Sequence, residues 1–131
     1  MKLRELLERK EFEYKEVITI GPDEMVSEAI KKMIKHDRGS LPVCEETGEL
    51  VGIVTERDVA RKCATNEGCA ILKIHDVMSP DVITASPEDD LDYAIDIMKK
   101  KRIRHLPIWE NKKLVGVVSM RDLLLLHMAL I

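Results

Sequence analysis

The chain has 131 residues, of which 45% are hydrophobic and 34% are charged, so it is long enough for one domain or two very small ones with a packed core. Its net charge of −3 and its few aromatic residues (one Trp, two Tyr and one Phe) argue against nucleic-acid binding, which uses basic surfaces and stacking rings. No apolar run approaches the roughly 18 residues of a membrane span, and the start lacks an apolar signal-peptide core, so we expect a cytoplasmic protein without a membrane partner.

Residues 1–16 place Leu3, Leu6 and Leu7 at helical spacing among charged residues. This spacing predicts a helix or arm that packs against the rest of the chain or forms a dimer contact. The chain contains no glutamine, which favours a heat-adapted source.

Residues 17–63 predict the order strand, helix, strand, strand, helix. A β-rich run is ended by Gly-Pro, and a helix with apolar residues at positions i, i+3, i+4, i+7 and i+8 follows. Two apolar strands joined by Glu-Thr-Gly-Glu then predict a hairpin. In chain order these elements are Val17–Ile20, the helix from Val26 to Ile34, Leu41–Cys44, Leu50–Val54 and a helix starting at Thr55.

Residues 64–81 are predicted to be a connector with a short helical turn around Ile74–Met78. The three cysteines, Cys44, Cys63 and Cys69, cannot all pair within one chain, and none stands in a Cys-x-x-Cys motif. We therefore expect ordinary buried or half-buried thiols and no metal site.

Residues 82–131 repeat residues 17–63. A shift of 65 places VITIGPDEMVSEAIKKMIK over VITASPEDDLDYAIDIMKK, and a shift of 64 places LVGIVTERD over LVGVVSMRD. The predicted elements are a strand at Val82–Ala85, a helix from Leu91, a hairpin of Leu106–Trp109 and Leu114–Val118, and a helix starting at Ser119. The fold class is therefore α/β or α+β, with two β-α-β-β-α repeats.

Each repeat ends its last strand with a hydroxyl residue followed three positions later by an acid, Thr55 and Asp58 in one copy and Ser119 and Asp122 in the other. This spacing is typical of a capping box at a helix start. A helix start also presents N–H groups and a positive dipole end to an anion, and a carboxylate can accept hydrogen bonds from two neighbouring hydroxyls, as in a ribose. The two interpretations are compatible, with Arg57 and Arg121 adding positive charge.

A basic pair, Arg104 and His105, directly precedes Leu106-Pro107. Adjoining strand positions face opposite ways, so at least one of the two could point toward a ligand. The first repeat has Gly39-Ser40 at this place, which leaves Arg38 and Arg57 as its cations.

The paired repeats resemble cystathionine-β-synthase (CBS) domains in tandem, an arrangement called a Bateman module. The resemblance covers about residues 17–127 and rests on the strand-Pro start, the A-I-x-x-M helix, the Leu-Pro strand and the closing G-[IV]-V-[TS]-x-R-D. It implies two repeats packed about a pseudo-two-fold axis and binding of an adenosine-containing ligand in the clefts between them.

The resemblance also implies residue roles. Asp58 and Asp122 would contact the ribose, with Thr55 and Ser119 beside them, and Arg104 and His105 would contact phosphates. The adenine would meet Thr19, Ile20 and Pro42 in the Asp122 cleft. It would meet Thr84, Ala85 and Pro107 in the Asp58 cleft. The Asp122 cleft is predicted to bind phosphate more tightly, because the first repeat lacks the basic pair.

Two functions follow from these expectations. The first is a regulatory sensor of AMP, ADP or ATP, with S-adenosylmethionine as an alternative ligand, that acts through an unknown effector protein and needs no cofactor. The second is a ligand-independent dimerisation or scaffold module, favoured by the run Leu123–Leu126, and a homodimer is expected in both cases. An enzyme is not expected, because no nucleophile elbow, phosphate loop or metal motif is present.

Overall fold

A computed structural model describes residues 1–9 and 16–130. The chain divides into two compact units, one formed by Ile18–Val82 and the other by Met1–Val17 together with Ile83–Ile131. We call them the first-repeat unit and the second-repeat unit. None of the helices in the described part is long and apolar enough to cross a membrane.

The first-repeat unit contains a helix, a hairpin and a second helix, as predicted. The helix α2 (Val26–His36) ends where Asp37 adopts the left-handed conformation (φ 53°). Its amide and that of Arg38 then donate to the last free carbonyls of the helix. The antiparallel strands β1 (Ser40–Cys44) and β2 (Leu50–Thr55) follow, with Ser40 opposite Thr55, and α3 (Glu56–Thr65) closes the repeat.

The second-repeat unit begins with a short helix, α1 (Leu3–Leu7), and continues with α4 (Leu91–Lys101). The antiparallel strands β3 (His105–Glu110) and β4 (Lys113–Ser119) pair with His105 opposite Ser119. The last helix, α5, covers Met120–Leu130. The predicted order of helix, hairpin and helix is thus confirmed in both repeats.

The predicted first strand of each repeat is wrong in extent. Only Ile20 in the first repeat and Ala85 in the second form a bridge, each parallel to the Pro-containing strand of its own unit. Ile20 donates to the Pro42 carbonyl (3.1 Å) and accepts from the Cys44 amide (2.9 Å), and Gly21-Pro22 then ends the pairing. A single residue in each repeat therefore replaces the expected strand of four.

A short docked segment completes the core of each unit. In the first-repeat unit it is the 3-10 turn Ile74–Asp76, and in the second-repeat unit it is α1. The Ile74 amide donates to the Glu24 carbonyl (2.9 Å), and the Leu3 amide donates to the carbonyl of Asp89, the equivalent of Glu24 (2.9 Å). Ile74 and Leu3 are both fully buried, so each contributes about 1.5–3 kcal/mol of hydrophobic stabilisation.

The expectation of three ordinary thiols is wrong for two of the cysteines. Cys63, near the end of α3, forms a disulfide with Cys69, which begins the 3-10 turn Cys69–Ile71. The fold brings their Cα atoms to 5.2 Å, which lies within the range that a disulfide requires. Cys44 keeps a free, half-buried thiol, and burial raises its pKa.

Candidate functional site

The predicted capping boxes are confirmed in both repeats. At the start of α3, the Thr55 hydroxyl accepts from the Asp58 amide (3.1 Å), and Asp58 Oδ2 accepts from the Thr55 amide (2.9 Å). At the start of α5, Ser119 and Asp122 make the same two bonds, at 3.0 and 2.9 Å. The sequence therefore fixes each acid at the first turn of a helix.

Each of these acids keeps one carboxylate oxygen for other partners. The box uses Oδ2 of Asp58 and of Asp122, and no donor within residues 1–9 and 16–130 bonds either Oδ1. Both side chains are half-buried. A half-buried carboxylate oxygen held rigidly at a helix start is suited to accept hydrogen bonds from a sugar hydroxyl.

In the second-repeat unit, the basic pair lies beside this acid. The Arg104 carbonyl accepts from the Met120 amide (2.8 Å), which fixes Arg104 at the first residue of α5. His105 stands opposite Ser119 in the hairpin. The structure thus brings Arg104, His105, Ser119 and Asp122 together, with Arg104 exposed to solvent. Arg121, next to Asp122, is also exposed.

The first-repeat unit has the same backbone arrangement with fewer cations. The Gly39 carbonyl takes the place of Arg104 and accepts from the Glu56 amide (3.0 Å), and the buried Ser40 stands opposite Thr55. Arg57 is exposed, and Arg38 follows the end of α2. The first repeat therefore lacks the basic pair, as its sequence indicated, and the two sites differ in the residues at this place.

An open groove of about 240 Å³ lies on the Asp58 side of α3. Arg61 and Lys62 line this groove, and neither was predicted from the sequence as a site residue. Their spacing of three and four residues from Asp58 places all three on one helix face, which is the signal that could have identified them. The full lining is Asp58, Arg61, Lys62, Thr65, Asp76 and Val77.

The residues predicted to contact adenine are neighbours within their own unit. Ile20 and the buried Pro42 are joined by a backbone hydrogen bond, as are Ala85 and Pro107 (3.0 Å). The Thr19 carbonyl accepts from Lys32 Nζ (2.9 Å), and Thr84 is exposed. The pairing of Asp122 with Thr19, Ile20 and Pro42, and of Asp58 with Thr84, Ala85 and Pro107, joins residues of different units and remains a prediction.

Comparisons with curated sequences identify proteins that are similar to this chain. The chain is 33% identical over 108 residues to the CBS domain-containing protein YhcV of Bacillus subtilis, covering 82% of this chain and 76% of that protein. It is 37% identical over 111 residues to inosine-5′-monophosphate dehydrogenase of Methanocaldococcus jannaschii, covering 84% of this chain. The match covers only 21% of that enzyme, so the likeness is to one part of it.

Solved structures agree with the sequence comparisons. The CBS-domain protein ATU1752 of Agrobacterium tumefaciens superposes with a TM-score of 0.88 at 29% identity, covering 97% of this chain and 99% of that one. The CBS domain pair of protein MJ0100, solved in complex with 5′-methylthioadenosine and S-adenosyl-L-methionine, superposes with a TM-score of 0.87 at 29% identity. It covers 100% of this chain and 98% of its own.

The family profile gives the same result from sequence alone. It matches the chain twice, over residues 10–65 and 74–128, and each match contains one capping box with its acid. The chain therefore belongs to the CBS domain family and contains a tandem pair of CBS domains.

Proposed function

We propose that this chain is a regulatory module that binds an adenosine-containing ligand, an adenine nucleotide in the first instance, and acts through a partner protein. The observation that carries the proposal is the cluster in the second-repeat unit. There, Asp122 is fixed by its capping box with Oδ1 left over, and the backbone of Arg104 is fixed at the same helix start, with its side chain exposed.

The ribose and the phosphates of a nucleotide each find a matching group in this cluster. Asp122 Oδ1 accepts from the ribose hydroxyls, while Ser119 keeps the carboxylate in position. The helix start, Arg104 and Arg121 favour the phosphates electrostatically, and His105 adds a further hydrogen-bond donor. The Ser119 hydroxyl serves as the helix cap by accepting from the Asp122 amide, and the proposed role of this set is binding and not catalysis.

The likeness to MJ0100 supports an adenosine ligand. Its CBS domain pair is described in complex with 5′-methylthioadenosine and S-adenosyl-L-methionine, which share the adenosine group with AMP, ADP and ATP. The cations around Asp122 favour a nucleotide, because they would have no phosphate to meet in methylthioadenosine. S-adenosylmethionine is the alternative ligand that the comparison supports.

The proposal is tested by calorimetric titration of AMP, ADP, ATP, S-adenosylmethionine and methylthioadenosine into the wild-type chain and Asp122→Asn. A charge-assisted hydrogen bond contributes about 1.5–3 kcal/mol, so Asp122→Asn is expected to weaken binding by roughly 10- to 150-fold. Asp89→Asn is the matched control, since Asp89 makes a similar backbone bond to the Ser86 amide (2.8 Å) outside the cluster. Equal affinity of Asp122→Asn and wild type would reject the proposed ribose contact.

A second pair of variants tests the phosphate contact. Arg104→Gln is expected to weaken the binding of ATP more than that of methylthioadenosine, because only ATP carries phosphates. Lys100→Gln removes an equal charge from an exposed residue whose ammonium already pairs with Asp96 (3.0 Å), and it should leave both affinities unchanged. If Arg104→Gln weakens the binding of ATP and of methylthioadenosine by the same factor, Arg104 does not contact the phosphates.

One observation favours the alternative function, a ligand-independent dimerisation module. The last helix exposes 60% of Leu124, 49% of Leu125 and 61% of Met128. A face of this kind is often covered by another protein surface, and a second copy of this chain is the partner proposed here. Sedimentation equilibrium of wild type and Leu124→Glu tests the homodimer. A thermal-shift screen with the five ligands separates the two functions, because a ligand bound to the native state raises the melting temperature.

A further inference from the structure

The disulfide between Cys63 and Cys69 lies in the first-repeat unit, and the second repeat has no cysteine. We propose that this pair is a reversible redox switch that orders the Asp58 groove when oxidised and loosens it when reduced. The effect on a ligand rests on the proposed function above, whereas the effect on the groove itself does not.

The end of α3 depends on this bond because it lacks the cap that ends α2. Asp37 closes α2 in the left-handed conformation with two backbone hydrogen bonds, but Asn66 at the end of α3 is extended (φ −144°, ψ 109°). Instead, the Asn66 carbonyl accepts from the Cys69 amide (3.2 Å) and its side chain accepts from the Gly68 amide (3.0 Å). This turn brings Cys69 back to Cys63, and the covalent bond holds it there.

The 3-10 turn that Cys69 begins lies near α2 and α3 at the surface of its unit. None of its three residues, Cys69–Ile71, is buried, and the Ile71 side chain is 74% exposed. Cys63, by contrast, packs against the core of its unit. Opening the disulfide therefore releases the turn and the last turn of α3 far more than it disturbs the core.

The groove is lined by residues of α3, around Cys63, and by residues that follow Cys69 in the sequence. Lys62 and Thr65, which flank Cys63 in α3, line one side. Asp76 and Val77, which the Cys69 turn leads into, line the other. The disulfide thus ties the last turn of α3 to the chain that follows it, and its opening is expected to move Lys62 while Asp76, in the turn docked by Ile74, keeps its place.

The switch chemistry is thiol–disulfide exchange with a low-molecular-weight disulfide. The thiolate of one cysteine attacks the small disulfide and releases one small thiolate, giving a mixed disulfide. The second cysteine then attacks the protein sulfur of that bond and releases the other small thiolate. Two cysteines are oxidised, one small disulfide is reduced to two thiols, and the two cysteine protons end on the released thiols.

Cys44 is the internal control for this chemistry. It is half-buried at the end of β1, and burial raises its pKa, so it forms the reactive thiolate less readily. We expect it to stay reduced while Cys63 and Cys69 exchange.

The test equilibrates the wild-type chain with reduced and oxidised glutathione at graded ratios, followed by alkylation and mass spectrometry. The expected result is an interconversion between one and three alkylated thiols. Hydrogen exchange of both forms is then expected to show about tenfold faster exchange in residues 61–72 of the reduced form, with β3 and β4 unchanged. Three alkylated thiols at every ratio, one at every ratio, or equal exchange in both forms would overturn the switch.

Three variants separate the switch from a general loss of stability. Cys63→Ser and Cys69→Ser should match the reduced form under oxidising conditions, and Cys44→Ser should behave as wild type. Titration of AMP into Asp122→Asn, in which the cluster of the second-repeat unit is weakened, should show about three- to tenfold weaker binding to the reduced form than to the oxidised form. Equal affinity overturns control of the ligand by the switch, whereas no binding to either form counts against a nucleotide at the Asp58 groove and leaves hydrogen exchange to decide the switch.

Discussion

The side chain of Leu7 lies directly against Gly116 in β4. A Cβ atom added to Gly116 would come within 2.9 Å of Leu7 Cδ2, which is closer than carbon atoms pack. In the first-repeat unit, Met78 lies against Gly52 in the same way, with its sulfur 2.5 Å from the place of a Cβ. In each unit, a side chain in or just after the docked segment therefore packs tightly against a strand glycine.

This relationship predicts that Gly52→Ala destabilises the chain by about 1–3 kcal/mol, the usual cost of overfilling a packed region. Gly116→Ala should cost less. Its added methyl meets only the end of the Leu7 side chain, whereas that of Gly52 also comes within 3.0 Å of the Ser79 carbonyl. The Ser79 backbone cannot easily move, since it exchanges two hydrogen bonds with Ile53 (3.0 and 2.9 Å).

Urea denaturation of both variants measures these costs, and Gly68→Ala is the control. Gly68 has a negative φ of −91°, and its nearest neighbour to an added Cβ is 3.6 Å away, so alanine should be tolerated there. A larger loss in Gly116→Ala than in Gly52→Ala would contradict the distinction between side chain and backbone.

Leu3 and Ile74, one in each docked segment, are predicted to contribute equally to the free energy of unfolding. Both are fully buried in the core of their unit, so Leu3→Ala and Ile74→Ala should each lower the free energy of unfolding by about 2–5 kcal/mol. Ile71→Ala, which changes a side chain that is 74% exposed, should cost less than about 0.5 kcal/mol. Chemical denaturation decides, and a negligible effect of Leu3→Ala would mean that α1 does not belong to the core.

Much of the fold was predictable because the repeat contains strong local signals. The hairpins follow from apolar strands separated by turn residues, and both are found. The capping boxes follow from a hydroxyl and an acid three residues apart, which is a contact within one helical turn. Local hydrogen bonds of this kind depend little on the rest of the chain, so the sequence alone indicates them.

Both docked segments were predicted as short helical pieces, and the structure confirms them, but their equivalence was missed because it is out of register with the main repeat. Lys2-Leu3 corresponds to Lys73-Ile74, and Leu7 corresponds to Met78, but the offset is 71 in place of 65. Six extra residues before Val17 hide this longer repeat. The disulfide was missed because the chain between Cys63 and Cys69, which are separated by six positions, gives no indication of the turn that brings them together.

An exposed ion cluster at α1 predicts a pH dependence. Hydrogen bonds and charge from Lys2 and Arg4 lower the pKa of Glu88 below its ordinary value of 4.5. Hydrogen bonding to Glu88 likewise raises the pKa of Lys2 above 10.5. The stabilisation by Glu88 is therefore present above pH 4.5 and is lost as the pH falls through its lowered pKa, and that by Lys2 is lost as the pH rises through its raised pKa.

Glu88→Gln should consequently be less stable than wild type by a small amount between about pH 5 and pH 10, with the difference vanishing as the pH falls below the lowered pKa of Glu88. Denaturation curves of both proteins across this range measure it. Glu67→Gln, an exposed residue of the other unit, is the control and should show no comparable change. A difference that grows as the pH falls would have the wrong sign for this ion cluster.

The capping hydroxyls allow their structural role to be separated from a role in ligand binding. Ser119→Ala removes the acceptor of the Asp122 amide and should cost about 1 kcal/mol of unfolding free energy, as should Thr55→Ala in the other repeat. Thr47→Ala is the control, because that hydroxyl accepts only a long bond of 3.5 Å in an exposed loop.

Replacing Ser119 by aspartate distinguishes the two roles further. Aspartate caps a helix as well as serine does, so Ser119→Asp should keep the stability that Ser119→Ala loses. It also places a second negative charge beside Asp122 and Arg104, where we propose that phosphates bind. Nucleotide affinity should therefore fall more in Ser119→Asp than in Ser119→Ala, while unfolding free energies follow the opposite order. Parallel denaturation and calorimetry measure both orders, and a nucleotide affinity that simply follows stability would show that Ser119 acts only as a cap.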